Sequence, residues 1–302
     1  MGNIAMSGVP AVTPTKDVAP QLGVDVQVPA LDGVRLAGTF FEPKGRIRGS
    51  VLLLSGTGIP RHFYASFADH LASRGLATLT LDYRGIGESR PKRWRGFEAT
   101  KQDWARKDFS GGFEWLEQRV PHGPRLVFGH SVGGQLLGLM DRPEAIDGVV
   151  TFGTSFGYWR QMDGPYGWFV GGLWYVGIPL LTRLFGYMPA STFGLGEDLP
   201  AGVAQEWARW GRRADYFTTE LGDSPGFSSL RAPWLALYAT DDAIATPANA
   251  QPMLALYPNA STRVENLEPA EHGHRSIGHL SFFSRKKSDL WPLASDWLVA
   301  RT

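Results

Sequence analysis

Apolar and polar positions alternate, or nearly so, over residues 24–28 and 34–41. Asp32-Gly33 lies between the two runs, which predicts a β-hairpin. Residues 50–54, Ser-Val-Leu-Leu-Leu, form an apolar run of the kind expected from a strand buried on both faces. The loop Ser55-Gly-Thr-Gly-Ile-Pro60 ends it, and a helical stretch over 62–73 is closed by Gly75. A strand is predicted at 76–81, running into Asp82-Tyr-Arg-Gly-Ile-Gly-Glu-Ser89, and a helix over 100–119. Further strands fall at 125–128, 148–152, 233–238 and 262–267. Helices are expected at 135–140, at 247–257 and at the end of the chain. Strands alternating with helices at this spacing predict an α/β protein with a mostly parallel central sheet and helices on both faces.

The alternation stops between residues 153 and 218. Tyr158, Trp159, Tyr166, Trp168, Phe169, Trp174, Tyr175, Phe185 and Tyr187 crowd together there among glycines and prolines, and 206–210 reads as helix. The expected organisation is therefore a loose N-terminal arm over 1–22, punctuated by Pro10, Pro14 and Pro20, and a first part of the core over 23–152. An aromatic-rich helical cap over 153–218 and a second part of the core over 219–302 complete it. The start of the chain lacks the charged lead and apolar core of a signal peptide, and no apolar run reads as membrane-spanning.

One stretch carries chemistry. Phe128-Gly-His-Ser-Val-Gly-Gly134 follows a short strand and leads into a helix, and Gly-x-Ser-x-Gly in that context is a nucleophile elbow. A serine on so sharp a turn needs neighbours without Cβ, which Gly129 and Gly133 supply. Its hydroxyl then stands clear of the surface, at the N-terminus of a helix with free N–H groups.

Composition narrows the classes further. The 302 residues are 43% hydrophobic and 20% charged, as in ordinary globular proteins. Thirty basic and 29 acidic side chains leave a net charge of +1, and no basic stripe invites nucleic acid. The absence of cysteine excludes disulfides, thiolate metal sites and cysteine nucleophiles, and fits the cytoplasmic location expected for the chain. Glu271, His272 and His274 read as a solvated loop rather than a metal site. Gly56 and Gly58 precede Ile-Pro-Arg, not the glycine-rich opening of a helix, so no dinucleotide motif is present. Neither metal nor cofactor is expected.

Together the elbow at 129–133, the Asp82–Ser89 loop, Asp241-Asp-Ala-Ile244 after a late strand and Ile277-Gly-His279 near the C-terminus resemble the α/β-hydrolase superfamily. The order Ser, Asp, His is the one that superfamily uses. The loop 55–60, residues 206–210 and Gly278-His-Leu-Ser-Phe-Phe283 are similar to a little-characterised branch of predicted serine hydrolases. One departure is Ser55-Gly56 where a His-Gly pair is common; the backbone donor of that loop does not need the histidine.

The resemblance implies a Ser-His-Asp triad acting through an acyl-enzyme on a small-molecule acyl substrate, with the aromatic cap favouring an apolar one. Ser131 is the implied nucleophile. Asp242-Ala-Ile fits the family's phase for the acid, Asp241 lying one residue early. Among His272, His274 and His279, the last sits between Gly278 and an apolar run that holds it still, and matches the Gly-His-x-x-Phe-Phe pattern. The implied oxyanion donors, each worth about 3 kcal/mol, are the N–H groups of Val132 and of Thr57, with Gly58 the alternative to Thr57. The Asp82–Ser89 loop reads as structural, anchored by Arg84. Acyl transfer or small-peptide hydrolysis would use the same triad, and a non-catalytic binding protein is the alternative of another class.

Overall fold

The computed structural model describes residues 22–302, so residues 1–21 of the expected arm lie outside the described part. The strands are β1 (Val24–Pro29), β2 (Arg35–Phe41), β3 (Gly49–Leu54), β4 (Leu76–Leu81), β5 (Arg125–His130), β6 (Gly148–Phe152), β7 (Tyr187–Met188), β8 (Leu199–Pro200), β9 (Trp234–Ala239) and β10 (Thr262–Leu267). Eight of them make one sheet in the order β1-β2-β4-β3-β5-β6-β9-β10, and β7 pairs with β8 apart from it. β1 and β2 form the predicted hairpin, turning at Gly33 with φ +81°, and β2 joins β4 antiparallel. The other contacts in the sheet are parallel.

β3 shows why the sheet needs two covers. Val51 and Leu53 point to one side and pack with Phe67, Leu71, Phe128, Phe152 and Trp291. Leu52 and Leu54 point to the other and join Trp104, Phe109 and Val127. Successive strand residues face opposite ways, so a run buried on both faces must be apolar throughout. Phe67 alone, fully buried on the helix Ala65–Ser73, contributes about 1.5–3 kcal/mol relative to exposure.

Some expectations change. The elbow is followed by a four-residue helix, Val132–Gln135, and then a 3-10 turn, Leu137–Leu139, not by one helix over 135–140. Gly138 is the reason for the tight passage: a Cβ there would run into the Phe227 ring. The helix expected over 100–119 contains a π turn, Trp104–Phe109. At its start Lys101 is completely buried, its ammonium 4.5 Å from the centre of the Trp207 ring and without a hydrogen bond among the described residues.

Between β6 and β9 the chain leaves the sheet on a long excursion. Its main helix, Gly164–Phe185, is long and apolar enough to cross a membrane by length and composition, which corrects the reading that no run reaches that length. Gly171, Gly172, Gly177 and Pro179 hid it in the sequence. The helix runs on through them, widening to a π turn at Leu173–Gly177 just before Pro179, which has no N–H to give. Trp174 and Ile178 anchor one side of it in the core. The expected helix over 206–210 is part of Ala201–Gly211, which returns the chain toward the sheet.

Candidate active site

The C-terminal ends of β5, β9 and β10 point to one edge of the sheet, and the loops that leave them carry the candidate residues. Ser131 follows β5 directly, with φ 51° and ψ −115°. Only Ser131 and Tyr216 among the described non-glycine residues have positive φ. Such a backbone costs of order 1–3 kcal/mol and persists only when the surroundings dictate it. Here they do: the Ser131 N–H donates to the Phe152 carbonyl at 3.0 Å, and its own carbonyl accepts from Thr154 Oγ1 at 3.0 Å. A Cβ on Gly129 would stand 2.7 Å from the Gly134 nitrogen, and one on Gly133 would strike the Leu54 carbonyl. Both glycines are steric requirements of the turn.

Asp242 and His279 meet. Asp242 Oδ2 lies 2.6 Å from His279 Nδ1, while Oδ1 accepts the backbone N–H groups of Ile244 at 2.8 Å and Ala245 at 3.0 Å. Burial pushes this carboxyl up, but the His279 ring and the two backbone donors outweigh it and hold it below its ordinary value. An ionised Asp242 accepts the proton on Nδ1, so the neutral imidazole carries its lone pair on Nε2. Ser131 Oγ and His279 Nε2 make no hydrogen bond among the described residues; such bonds commonly tighten only when substrate is present.

Asp241 has a different role. Its side chain accepts from Ser276 Oγ at 2.6 Å and from the N–H groups of Ile277 at 3.0 Å and Gly278 at 2.8 Å. In the turn that follows β9 one carboxylate thus meets the imidazole and the other its loop. His272 ends the 3-10 turn Pro269–His272, and His274 Nε2 is 2.8 Å from Asp289.

His130 is the last residue of the elbow strand β5. It is wholly buried, with Nδ1 2.7 Å from Tyr64 Oη and Nε2 2.9 Å from the His279 carbonyl. The carbonyl can only accept, so Nε2 carries the proton and Nδ1 accepts from the tyrosine hydroxyl. Tyr64 Oη in turn accepts the Gly56 N–H at 2.8 Å. Burial and the neighbouring His279 ring push the His130 pKa well below its ordinary value, which keeps the ring neutral. A continuous chain thus ties the loop after β3 to the loop bearing His279. No local pattern in the sequence marks it, because Tyr64 and His130 lie far apart in the chain.

In the loop after β3, the N–H groups of Thr57 and Gly58 have no hydrogen-bond partner among the described residues. Val132 opens its helix, where an N–H has no intrahelical acceptor. The Gly58 carbonyl accepts from Glu197 N at 2.9 Å, which binds this loop to the excursion. The excursion also approaches the acid: burial, followed by the field of Asp242, pushes the Tyr166 hydroxyl up to about 12.

The Asp82–Ser89 loop is braced. Asp82 accepts the Arg61 N–H at 2.7 Å and the Glu88 N–H at 3.0 Å, and pairs with the Arg61 guanidinium. Arg84 reaches Asp108 at 2.7 Å and Asp32 at 2.8 Å, the anchoring read from the sequence.

A mostly parallel eight-stranded sheet of this order, with helices on both faces, is the α/β-hydrolase fold. The family described as serine aminopeptidase, S33 matches residues 45–185. An uncharacterised 31.7 kDa protein of the traX–finO intergenic region of Escherichia coli is 33% identical over 103 residues, which span 33% of this chain and 35% of that protein. The match thus covers about a third of that relative's length. Among solved structures, a soluble variant of monoglyceride lipase from Saccharomyces cerevisiae, in complex with a substrate analogue, is similar over 97% of this chain and 99% of its own, with a TM-score of 0.64 and 17% identity. A monoacylglycerol lipase of Paleococcus ferrophilus is similar over 88% of this chain and 99% of its own, with a TM-score of 0.59 and 16% identity. At these identities the likeness is one of fold.

Proposed function

We propose that the protein is a serine hydrolase that cleaves a carboxylic ester or related acyl compound through an acyl-enzyme. The observation that carries this reading is the Asp242–His279 hydrogen bond of 2.6 Å on loops neighbouring a serine held at positive φ. In the proposed reaction His279 Nε2 takes the Ser131 proton as Oγ attacks the acyl carbon. Asp242 holds the tautomer and stabilises the imidazolium. The N–H groups of Val132 and Thr57 receive the oxyanion. Collapse of the tetrahedral adduct passes the proton from His279 to the leaving alkoxide, and water, activated by the same imidazole, releases the acid.

Residues 153–218 act in this reading as a cap that excludes water and shapes an apolar acyl site. The density of buried aromatic side chains there, Trp159 and Trp174 among them, supports it. So does the fold shared with lipases of monoacylglycerols. A second reading, hydrolysis of short peptides, is favoured by the description of the matching family as a serine aminopeptidase.

A fluorophosphonate probe is the direct test. Wild-type protein should be labelled, and Ser131→Ala should lose both labelling and turnover while keeping its melting temperature. An alanine variant with even a tenth of the wild-type kcat would remove Ser131 from the reaction. p-Nitrophenyl esters of increasing chain length should be turned over faster than aminoacyl anilides; the reverse preference selects the peptidase reading. A wild-type chain that neither labels nor turns over either series would be a binding protein instead.

A further inference from the structure

The helix Gly164–Phe185 is apolar on two opposite sides. Gly167, Val170, Gly171, Trp174, Ile178 and Thr182, three or four residues apart, are buried against the protein. The other side carries Trp168, Val176, Leu180 and Leu184, spaced in multiples of four, and they are 74%, 63%, 52% and 63% exposed. A helix on the surface of a globular protein ordinarily turns a polar face outward, and a contiguous apolar face left in water marks a surface that meets something. The helix does not thread a bilayer, because both its ends are fastened to the same body. Asp163 N donates to the Ala243 carbonyl at 3.0 Å before it, and Tyr187 and Met188 form β7, paired with β8, after it.

Charge identifies the occupant. From Gly164 to Gly186 there is no acidic residue, and Arg183 is the single charge. The Arg212 guanidinium sits 5.5 Å above the exposed Tyr175 ring, and Arg160 caps Trp159, whose ring meets Trp168 at 5.2 Å. At the far end Trp94 stacks on Tyr187 at 5.0 Å and Arg95 lies next to Gly186, with Lys92 and Arg93 adjoining Trp94 in sequence. None of these six basic residues has an ion-pair partner among the described residues; Asp163, just before the helix, is the acid nearest to it in sequence.

We propose that this face docks on the surface of an anionic lipid bilayer, with the helix lying in the interfacial plane. An apolar face sinks into the acyl boundary while surrounding arginines and lysines meet anionic headgroups, and both terms favour the same orientation. A second copy of the chain fits less well, since a two-fold contact sets a patch against itself and would oppose like charges. The proposal does not depend on Ser131 being a nucleophile.

The test is flotation of the full chain with vesicles. It should rise with vesicles of phosphatidylcholine and phosphatidylglycerol, rise less with phosphatidylcholine alone, and detach as salt is raised from about 0.1 M to about 0.5 M. Val176→Ser, Leu180→Ser and Leu184→Ser combined should weaken vesicle binding on the order of tenfold or more. Its circular dichroism and its melting temperature should not change. Arg95→Glu with Arg183→Glu should weaken binding to the anionic vesicles alone. Absence of flotation, or flotation indifferent to the triple substitution, overturns the proposal. So does a wild-type dimer in sedimentation equilibrium that the triple substitution splits while no vesicle binding is seen.

Discussion

The loops that follow β4 and β9 are built alike and serve different ends. Each begins with an aspartate buried at the end of its strand, Asp82 in one and Asp242 in the other. Each carboxylate accepts two backbone N–H groups, from Arg61 and Glu88 or from Ile244 and Ala245, and each holds a nitrogenous side chain. The difference lies in that side chain. A guanidinium keeps its charge at every working pH, so Asp82 and Arg61 form a fixed brace. An imidazole is a side chain that exchanges protons in reaction, so in the proposed reaction the Asp242 pair changes charge during a turnover. Burial and pairing do not distinguish a structural carboxylate from a reactive one. The partner's capacity to release a proton does.

The largest effect should come from making the same change in both loops. Asp242→Asn leaves an amide that cannot fix the His279 tautomer, and kcat should fall on the order of 10³–10⁴-fold, with little loss of melting temperature. Asp82→Asn takes from the Arg61 guanidinium its fully buried partner, leaving it the exposed Glu88 and Asp25, and should cost about 3 kcal/mol of stability, while molecules that remain folded keep most of their kcat. Urea melts and kcat on both variants measure the contrast, and equal losses of activity would erase it.

A smaller effect tests the link between the loop after β3 and the base. Tyr64→Phe removes the hydroxyl that joins Gly56 N–H to His130 Nδ1, leaving both buried groups unsatisfied at a cost of about 1–3 kcal/mol. The expected signature is a fall in kcat with KM nearly unchanged, since the link joins the loop of the proposed oxyanion donor to the loop of the proposed base, His279. A rise in KM alone would mean that the chain supports binding instead.

The smallest effect concerns a buried charge with neither kind of partner. Burial pulls the Lys101 amine down to about 7, against the opposing field of Glu206, from an ordinary 10.5. Between those values the unfolded chain binds the extra proton, so stability should rise as pH increases, by at most about 1.4 kcal/mol per pH unit. Lys101→Met should raise the melting temperature near neutral pH and flatten that rise. Melts near pH 7 and pH 9 check both, and a variant less stable at each would give the amine a stabilising role.

Much of the molecule was legible in its residues for physical reasons. β3 is buried on both faces, so its apolar run stood out, and the elbow turn was readable because it tolerates no Cβ at Gly129 and Gly133. The family's phase separates Asp242 from Asp241, and the apolar residues after it separate His279 from His272 and His274; in the folded chain Asp242 meets His279, and Asp241 and His274 have other partners. What was hidden is non-local. The bonds from Gly56 through Tyr64 and His130 to His279 join three distant segments, and each residue alone looks ordinary. The helix Gly164–Phe185 was hidden for the opposite reason: its glycines and prolines signal a break locally, and packing on one side carries the helix past them.

Asp241 has a consequence for how the chain tolerates change in length. Its carboxylate grips Ser276, Ile277 and Gly278 directly, and His130 holds the His279 carbonyl from behind. The imidazole is therefore registered by fasteners at its own loop, and the tract from Pro269 to Arg275 works as slack between them and β10. At Gly273, with φ +69° and open space where a Cβ would stand, a short insertion is expected to leave the ring in place. The number of residues separating the proposed acid from the proposed base is then a poor guide to which histidine meets the carboxylate, because that interval measures the slack and not the geometry.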